Sequence, residues 1–258
     1  MRILSFFLLF LLVSTVAFAS YDVLKVVTYN VNYGAFHPDN IAAIDSLQAD
    51  IVCLQETNEK WRLLLMPNLG HKYPHADFRN VGAAGGYAIL SKYPIHRKTY
   101  LPATEGWFEA GYYLVETPHG MVQLLNVHLK PTLNEKGKIG FLGSAYFKSL
   151  KIHRKEVAEF YKSTQQDLPL IAVGDFNEND KGKGTRWLKQ QGMTDALALF
   201  DKKSHTWHWP TRLWELKGRY DRVLFDHRFT CENARVLHAG YSDHYPVLAQ
   251  LRWVDPTP

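Results

Sequence analysis

Cysteine is scarce in this sequence, since Cys53 and Cys231 are its only two cysteines in 258 residues. The scarcity excludes a small disulfide-dense scaffold, and there is no paired-cysteine pattern of the kind that binds zinc. Cys53 lies inside an apolar run and favours a buried thiol, with a single Cys53–Cys231 disulfide as the alternative. The sequence also has no Walker-type phosphate loop and no Gly-x-Ser-x-Gly nucleophile elbow, which argues against a P-loop nucleotide hydrolase and against a serine hydrolase of the α/β-hydrolase type.

An excess of charge of one sign is also missing. Lys and Arg number 30 against 25 Asp and Glu, which gives a formal charge of +5. This mild excess is compatible with nucleic acid or an anionic membrane surface as a partner, and it identifies neither. The 46% of hydrophobic and 14% of aromatic residues support a substantial core. They exclude a mainly disordered chain, a coiled coil and a collagen-like repeat.

The first residues have the pattern of a secretory signal peptide. Arg2 precedes the apolar run Ile3–Val13, and Ala17-Phe18-Ala19 is a small-x-small cleavage pattern. We therefore expect residues 1–19 to be removed before Ser20, and an uncleaved membrane anchor is the alternative, although the run is short for a bilayer span. Residues 20–258 are then a single domain that has lost one arginine and carries a charge of +4. The expected location is secreted or periplasmic.

Short apolar runs alternate with turns along the rest of the chain, without a repeat or a low-complexity linker. The predicted strands are Leu24–Tyr29, Asp50–Gln55, Gly86–Ser91, Tyr112–Glu116, Met121–Val127, Leu168–Val173, Arg219–Phe225, Ala234–His238 and Pro246–Trp253. The predicted helices are Pro38–Leu47 and Ser144–Ser163. Many strands with interspersed helices predict an α/β sandwich in one domain.

Polar side chains recur where the predicted strands end or begin. Those at strand ends are Asn30, Glu56, His128 and the Gly174-Asp175-Phe176-Asn177 segment; those at strand starts are Asp221 and the Asp243-His244 pair. In a sheet with both strand directions, the ends of one set and the starts of the other share an edge. We therefore expect all six sites to converge on one rim.

Each of these residues also has a simpler interpretation. Glu56 could cap a helix in the segment that follows it, Asn30 could close a turn, and His128 could be a core imidazole. The remaining sites could be ordinary turns: Gly174–Asn177, Asp221 and Asp243-His244. These alternatives are independent of one another, so together they explain the pattern less well than one shared site does.

The residue types suit hydrolysis of a phosphodiester. Carboxylates are hard oxygen ligands for Mg²⁺ or Mn²⁺, which would bind phosphate oxygens and stabilise charge on the leaving group. An aspartate could activate water for in-line attack, and asparagine and histidine donors could hold the pentavalent phosphate.

Six segments resemble the motifs of the endonuclease/exonuclease/phosphatase superfamily, the deoxyribonuclease I-like phosphoesterases. They are Thr28-Tyr29-Asn30-Val31, Leu54-Gln55-Glu56, Asn126-Val127-His128-Leu129, Gly174-Asp175-Phe176-Asn177, Arg219-Tyr220-Asp221-Arg222 and Ser242-Asp243-His244-Tyr245-Pro246-Val247. They occur in the expected order over essentially the whole of residues 20–258. The resemblance implies a four-layered αββα sandwich and metal-dependent cleavage of phosphoesters.

The resemblance also implies roles for the acidic and amide residues. Glu56 would be the main metal ligand, with Asn30 nearby as a metal or phosphate contact and Asp243 helping to bind metal or to position the cluster. Asp175 would orient or deprotonate the attacking water, and Asn177 would hold that water or the phosphate.

The histidines and two arginines complete the implied site. His128 would stabilise the transition state, and Asp221 would orient His244, which contacts the scissile phosphate as an acid/base or electrostatic partner. Many relatives have a hydrophobic-Asp-Tyr pattern where this chain has Tyr220-Asp221-Arg222. Arg222 could therefore contact substrate or form a surface salt bridge, and Arg154 is a weaker candidate for a phosphate contact.

The superfamily includes nucleases, sphingomyelin-cleaving enzymes and phosphoinositide phosphatases, so three functions remain open. The first is a monomeric exported nuclease, expected to be an endonuclease, which the motifs and the modest basic balance favour. Its phosphate track would be formed by Lys130, Lys136, Lys138, Lys148, Lys151 and Arg154. The second is a lipid phosphodiesterase or phosphatase that uses the aromatic segment containing Trp207, His208, Trp209 and Trp214. The same lysines could be a solvated face, and the aromatic segment could be packing. The third function, a non-catalytic binding module, conflicts with the complete polar set.

Overall fold

The computed structural model describes residues 23–132, 144–212 and 214–254. The predicted signal peptide, Lys136 and Lys138 lie outside these ranges. In chain order the strands are β1 (Val23–Asn30), β2 (Ile51–Gln55), β3 (His75–Arg79), β4 (Tyr87–Ser91), β5 (Ile95–Leu101), β6 (Ala110–Thr117), β7 (Gly120–His128), β8 (Leu170–Asp175), β9 (Thr194–Asp195), β10 (Trp207–Pro210), β11 (Glu215–Gly218), β12 (Asp221–Phe225), β13 (Phe229–Val236) and β14 (Val247–Trp253). The helices are α1 (Pro38–Ser46), α2 (Glu59–Leu69), α3 (Ser144–Lys162), α4 (Lys183–Gln190) and α5 (Ala196–Phe200), with a 3₁₀ turn at Ala83–Gly85.

Two six-stranded mixed sheets form the centre of the protein. The first has the strand order β13-β14-β1-β2-β4-β3 and the second has the order β5-β6-β7-β8-β12-β9, while β10 and β11 form a separate hairpin. In each sheet one central pair is parallel: β1 with β2, and β7 with β8. The other strand pairs are antiparallel.

The two sheets pack face to face, and helices cover their outer faces. The layer between the sheets includes Val26 and Ile51 from the first sheet and Leu124 from the second. Val27, the neighbour of Val26, instead joins the cluster beneath α1 and α2, because successive side chains of a strand point to opposite faces. A third cluster lies between the second sheet and helices α3 and α4. This is the expected four-layered αββα sandwich.

All of the predicted elements are observed, and the strands that were not predicted lie at sheet edges or in the hairpin. The nine predicted strands and both predicted helices are present, with ends shifted by a few residues, although His238 lies outside β13. The elements that were not predicted are the edge or hairpin strands β3, β5, β9, β10 and β11 and the helices α2, α4 and α5. Among the described helices, none is both long enough and apolar enough to cross a membrane.

Both cysteines have free thiols, so the alternative of a Cys53–Cys231 disulfide is wrong for this structure. Cys53 is fully buried between the sheets, as its apolar run predicted, and burial raises its pKa far above the ordinary value. Burial likewise raises the pKa of Cys231 to about 11.

Candidate active site

The parallel pair in each sheet delivers polar side chains to the same edge of the sandwich. Asn30 is the last residue of β1 and pairs with Gln55, which Glu56 follows. His128 and Asp175 are the last residues of β7 and β8 and lie opposite each other in the parallel ladder. The carboxyl ends of all four strands therefore meet at one rim, as expected from the sequence.

The strands that begin at this rim complete the cluster. Asp221 opens β12 and pairs directly with Asp175 across the antiparallel ladder. His244 lies three residues before β14, and Ser242 positions its backbone: the His244 N–H donates to Ser242 Oγ at 3.1 Å, and Ser242 Oγ donates to the Asn30 carbonyl at 2.7 Å. The Ser-Asp-His motif is thus fastened to the end of β1.

Gly174 shows why the residue before Asp175 is a glycine. Its φ is +134°, a conformation that side chains rarely adopt, and a Cβ at this position would overlap the carbonyl oxygen of Val127 on β7. The close approach of β7 and β8 at this point brings His128 and Asp175 side by side.

Glu56 projects into the rim from a backbone in the left-handed region, with φ of 59°. Asn30 Nδ2 donates to Glu56 Oε1 at 3.0 Å and to Asp175 Oδ2 at 3.1 Å, so one amide joins carboxylates from both sheets. Burial raises the pKa of both Glu56 and Asp175. Glu56 is not a helix cap, because Asn58 caps α2 by accepting from the Trp61 N–H.

His244 and Asp221 form a buried charged pair. His244 Nδ1 donates to Asp221 Oδ2 at 2.9 Å, and His244 Nε2 lies 3.7 Å from Asp175 Oδ2. Burial alone would lower the pKa of His244, but the negative charges of Asp221 and Asp175 outweigh it and raise the pKa to about 10. At neutral pH His244 is therefore a cation that faces the centre of the cluster.

His128 has the opposite protonation state. Burial lowers its pKa to about 4, so the ring is neutral at pH 7. Its Nδ1 lies 3.2 Å from the Ala84 carbonyl oxygen, which assigns the proton to Nδ1. Its Nε2 then faces Glu56 Oε1 at 3.8 Å and Asp175 Oδ2 at 3.7 Å.

Asn177 and Asp243 are held at the margin of the cluster. Asn177, with φ of 48°, donates its backbone N–H to Asp175 Oδ1 at 2.8 Å and its Nδ2 to the Leu129 carbonyl at 2.9 Å. Asp243 accepts from Asn32 Nδ2 at 2.9 Å and from Trp207 Nε1 at 3.0 Å, so both of its oxygens have partners. These contacts orient both side chains before anything binds.

The cluster fits a divalent cation. Its members are the carboxylates of Glu56, Asp175, Asp221 and Asp243, the cationic imidazole of His244 and the neutral imidazole of His128, so negative charge exceeds positive charge. Ligand atoms of Asp175, Asp221 and His244 lie within 4.8 Å of one another, and the buried Oδ1 of Asp221 has no hydrogen-bond partner within the described part of the chain. His244 cannot ligate a metal while protonated, so the carboxylates are the better donors, and their hard oxygens suit Mg²⁺ or Mn²⁺.

The expectation that Arg222 contacts substrate or forms a surface salt bridge is wrong. Its side chain is fully buried, and Nη1 donates to Asp195 Oδ2 and to Asp180 Oδ1, each at 2.8 Å. Arg222 follows Asp221 in β12, so its side chain leaves the sheet on the opposite side and is enclosed there. Arg154 is exposed on α3.

The lysines and the aromatic segment are only partly as expected. Lys148 and Lys151 are exposed on α3, and Lys130 is half-buried just after His128. In the hairpin, Trp207 is buried against Asp243, whereas Trp209 and Trp214 are exposed. The packing alternative is therefore right for Trp207.

Sequence reasoning missed several residues that organise the rim. Asn32 and Ser242 hold the Asp243-His244 segment, and the Phe108 ring stacks on His128 with centroids 4.1 Å apart and planes 9° apart. Asn32 and Ser242 stand next to recognised motifs, which is a usable signal. Phe108 lies in a loop far from those motifs in sequence, and no local pattern assigns it to the site.

Comparison with known proteins agrees with this geometry. The model of the Endonuclease/Exonuclease/phosphatase family matches residues 27–244. No curated protein sequence matches the chain. Three solved structures share the fold. The D. rerio TDP2 complexed with single-strand DNA product has a TM-score of 0.70 and 16% identity, over 89% of this chain and 99% of that one. The beta toxin from Staphylococcus aureus has a TM-score of 0.67 and 19% identity, over 88% and 99%.

The third is the 3′ phosphatase NExo from Neisseria bound to a product DNA hairpin, with a TM-score of 0.65 and 18% identity, over 89% of this chain and 100% of that one. At these identities the likeness shows the fold, and the family match over most of the chain shows the membership. The chain belongs to the Endonuclease/Exonuclease/phosphatase family of phosphoester hydrolases.

Proposed function

We propose that the protein is an exported, divalent-metal-dependent nuclease that hydrolyses phosphodiester bonds of DNA or RNA by in-line attack of water, and that it is an endonuclease. The observation that carries the proposal is the convergence of Glu56, Asp175 and His244 on one rim, with His244 cationic and the carboxylates adjacent to it. The DNA bound to two structural neighbours supports a nucleic acid substrate.

Each group of the rim has a distinct task in this proposal. A bound Mg²⁺ or Mn²⁺, held by Glu56 and the neighbouring carboxylate oxygens, would supply positive charge to the phosphate. His244 donates its Nε2 proton to a phosphate oxygen, while Asp221 accepts the Nδ1 proton and thereby orients the ring and keeps it charged. Asp175, oriented by the Asn177 backbone N–H, accepts a proton from the attacking water.

His128 takes part only after a change of protonation. With its proton on Nδ1, the free ring presents a bare Nε2 to the cluster. An anionic phosphate beside the ring would favour uptake of a second proton, and the ring would then donate from Nε2 as charge develops on the phosphate.

The test is hydrolysis by purified protein of single- and double-stranded DNA and RNA, with Mg²⁺, with Mn²⁺ and with a chelator. We expect cleavage of nucleic acid that the chelator abolishes and either metal restores, with a circular substrate showing internal cleavage. Glu56→Gln should lose this activity while staying folded, and Glu159→Gln, an exposed acid on α3, should keep it. Inertness toward nucleic acid together with hydrolysis of phospholipid vesicles would reverse the choice in favour of a lipid phosphodiesterase.

Export rests on residues 1–19 alone. We expect the mature protein to begin at Ser20 and to be recovered outside the cytoplasm, which N-terminal sequencing of the fractionated protein would measure. An intact Met1 end on protein that stays in the cytoplasm would contradict it.

A further inference from the structure

The loop between β5 and β6 places two aromatic residues beside the rim. Phe108 stacks on His128, and Trp107 meets Phe108 edge-on, with ring centroids 6.2 Å apart and planes at 86°. The proposed chemistry uses neither ring. The two centroid separations place Trp107 no more than about 10 Å from the His128 ring.

Buried anchors hold this loop in place. Glu156 of α3 is buried and accepts at Oε1 from the backbone N–H groups of Thr104 and Glu105, at 2.7 and 2.8 Å. A Cβ on Gly106 would lie only 2.7 Å from Glu156 Oε2, so glycine permits the close approach. At the other end, Tyr87 Oη donates to the Glu109 carbonyl at 2.5 Å. A loop fixed at both ends presents Trp107 without a large loss of entropy on binding.

Trp107 remains 46% exposed, and a cation accompanies it. Lys130 Nζ lies over the indole at 4.5 Å from the ring centroid, and Lys130 is two residues after His128. An indole with an ammonium group over one face, close to a phosphate-cleaving centre, matches a nucleotide: the base can stack on the face that Lys130 leaves open while the lysine neutralises a phosphate.

We propose that Trp107 and Lys130 form a subsite for a nucleotide that flanks the scissile phosphate, with the base stacked on Trp107 and the phosphate bound by Lys130. The inference rests on the proposed nuclease function and adds the subsite that engages the strand. At about 3.4 Å per nucleotide, a separation of about 10 Å or less from the His128 ring corresponds to about three nucleotides or fewer.

The same geometry opposes a choline headgroup on Trp107. A quaternary ammonium ion would seek the face of the indole, but Lys130 already places a positive charge over that ring. Like charges at this separation repel, whereas a neutral base and an anionic phosphate are both complementary to the pair. The pair therefore favours a nucleic acid strand as the occupant.

The experiment combines single-abasic oligonucleotides with substitutions of Trp107. For wild-type protein, one abasic nucleotide at the stacked position should raise KM about tenfold or more relative to the intact oligonucleotide. An abasic nucleotide at any other position should have a smaller effect. In Trp107→Ala the intact oligonucleotide should show the same rise, and the abasic position should have no further effect. Trp107→Phe should retain most of the stacking. Phe200→Ala, which removes a 47% exposed ring on α5, should behave as wild type.

Lys130→Met tests the phosphate half of the subsite. Loss of one phosphate contact should reduce the slope of log KM against log salt by about 0.7 for single strands. The subsite is overturned if Lys130→Met leaves the salt slope unchanged. It is also overturned if Trp107→Ala has the same ratio of KM values for abasic and intact strands as wild type. A third contrary result is that Trp107→Ala lowers hydrolysis of choline-phospholipid vesicles but leaves oligonucleotide cleavage unchanged.

Failure of the subsite and failure of the nuclease function are separate results. If the wild-type protein cleaves no oligonucleotide, the nuclease proposal fails and the subsite fails with it. If the wild-type protein cleaves oligonucleotides and the Trp107 variants, folded by circular dichroism, cleave them equally well, only the subsite is refuted.

Discussion

Replacing Asp221 by Asn should convert His244 from a cation to a neutral ring at physiological pH. Asp221 Oδ2 accepts the His244 Nδ1 proton at 2.9 Å, and the two charges are buried together. Burial alone opposes the charge on His244, so the pKa of about 10 depends on the negative charges of Asp221 and then Asp175. Without the first of these, the pKa of His244 should fall toward its ordinary value of 6.5 or below it.

The stability that this pair contributes has a definite pH window. Because the folded pKa of His244 is raised, the contribution is fully present below about pH 6.5 and is lost as the pH rises through about 10. At about 1.4 kcal/mol per pKa unit, it amounts to about 5 kcal/mol at pH 5 and about 3 kcal/mol at pH 8, relative to a protein that keeps the ring neutral. Asp221→Asn should therefore be less stable than wild type at pH 6, and the difference should shrink by pH 10.

Two assays check the reasoning. Histidine ring resonances of metal-free protein, with His244→Gln for assignment, report the pKa directly, and urea unfolding at several pH values reports the stability. We also expect a loss of about 10²- to 10⁴-fold in kcat, because His244, the proposed proton donor to the phosphate, would be neutral. Glu116→Gln removes the carboxylate of the exposed His96–Glu116 pair and should leave His244 unchanged. A His244 ring that still titrates near pH 10 in Asp221→Asn would refute the assignment of the charge to this pair.

Three further predictions concern residues away from the proton donor. Glu178→Gln should lower the free energy of unfolding mainly at neutral pH. Burial alone would raise the pKa of Glu178, but its bonds with His153 lower that pKa, so the stability that Glu178 contributes is present above its unfolded pKa and is lost as the pH falls through its folded pKa. Urea unfolding at pH 7 and at pH 3 measures the difference. Gly174→Ala should lower stability by about 2 kcal/mol or more, because of the positive φ and the overlap with β7, measured by thermal unfolding. Arg222→Met should lower the free energy of unfolding by about 3–5 kcal/mol, because it leaves Asp195 without its buried partner. KM of the folded variant should nevertheless stay within about twofold of wild type. A large rise in KM would show that Arg222 contacts the substrate after all.

The rim could be predicted from the sequence because each of its residues stands where an apolar run ends or begins. Burial of both faces makes the central strands continuous runs such as Ile51–Gln55, and a polar residue at the end of such a run stands out. The edge strand β5 has exposed His96, Arg97 and Lys98 in its middle, so no pattern of burial distinguishes it from a loop. Local sequence therefore predicts strands only where the fold buries them.

The error at Arg222 has a different cause. A basic residue beside a catalytic motif resembles a phosphate contact, and its true partners, Asp180 and Asp195, lie 42 and 27 residues away. Which side of β12 is enclosed depends on helices that were not predicted. Trp107 and Phe108 were not predicted as site residues either. They matter because they lie close to His128, and only the tertiary structure shows this.

The position of β14 between β13 and β1 has a consequence for synthesis of the protein. The first sheet is opened by β1 but is completed only when the chain has been made through Trp253 and β14 has paired with β1. His244, the proposed proton donor, lies just before β14, so a polypeptide that has grown only as far as β12 has neither this residue nor a completed first sheet. A hydrolase arranged in this way stays inert until β14 has been synthesised and has paired with β1, and truncations before β14 should yield fragments without hydrolase activity.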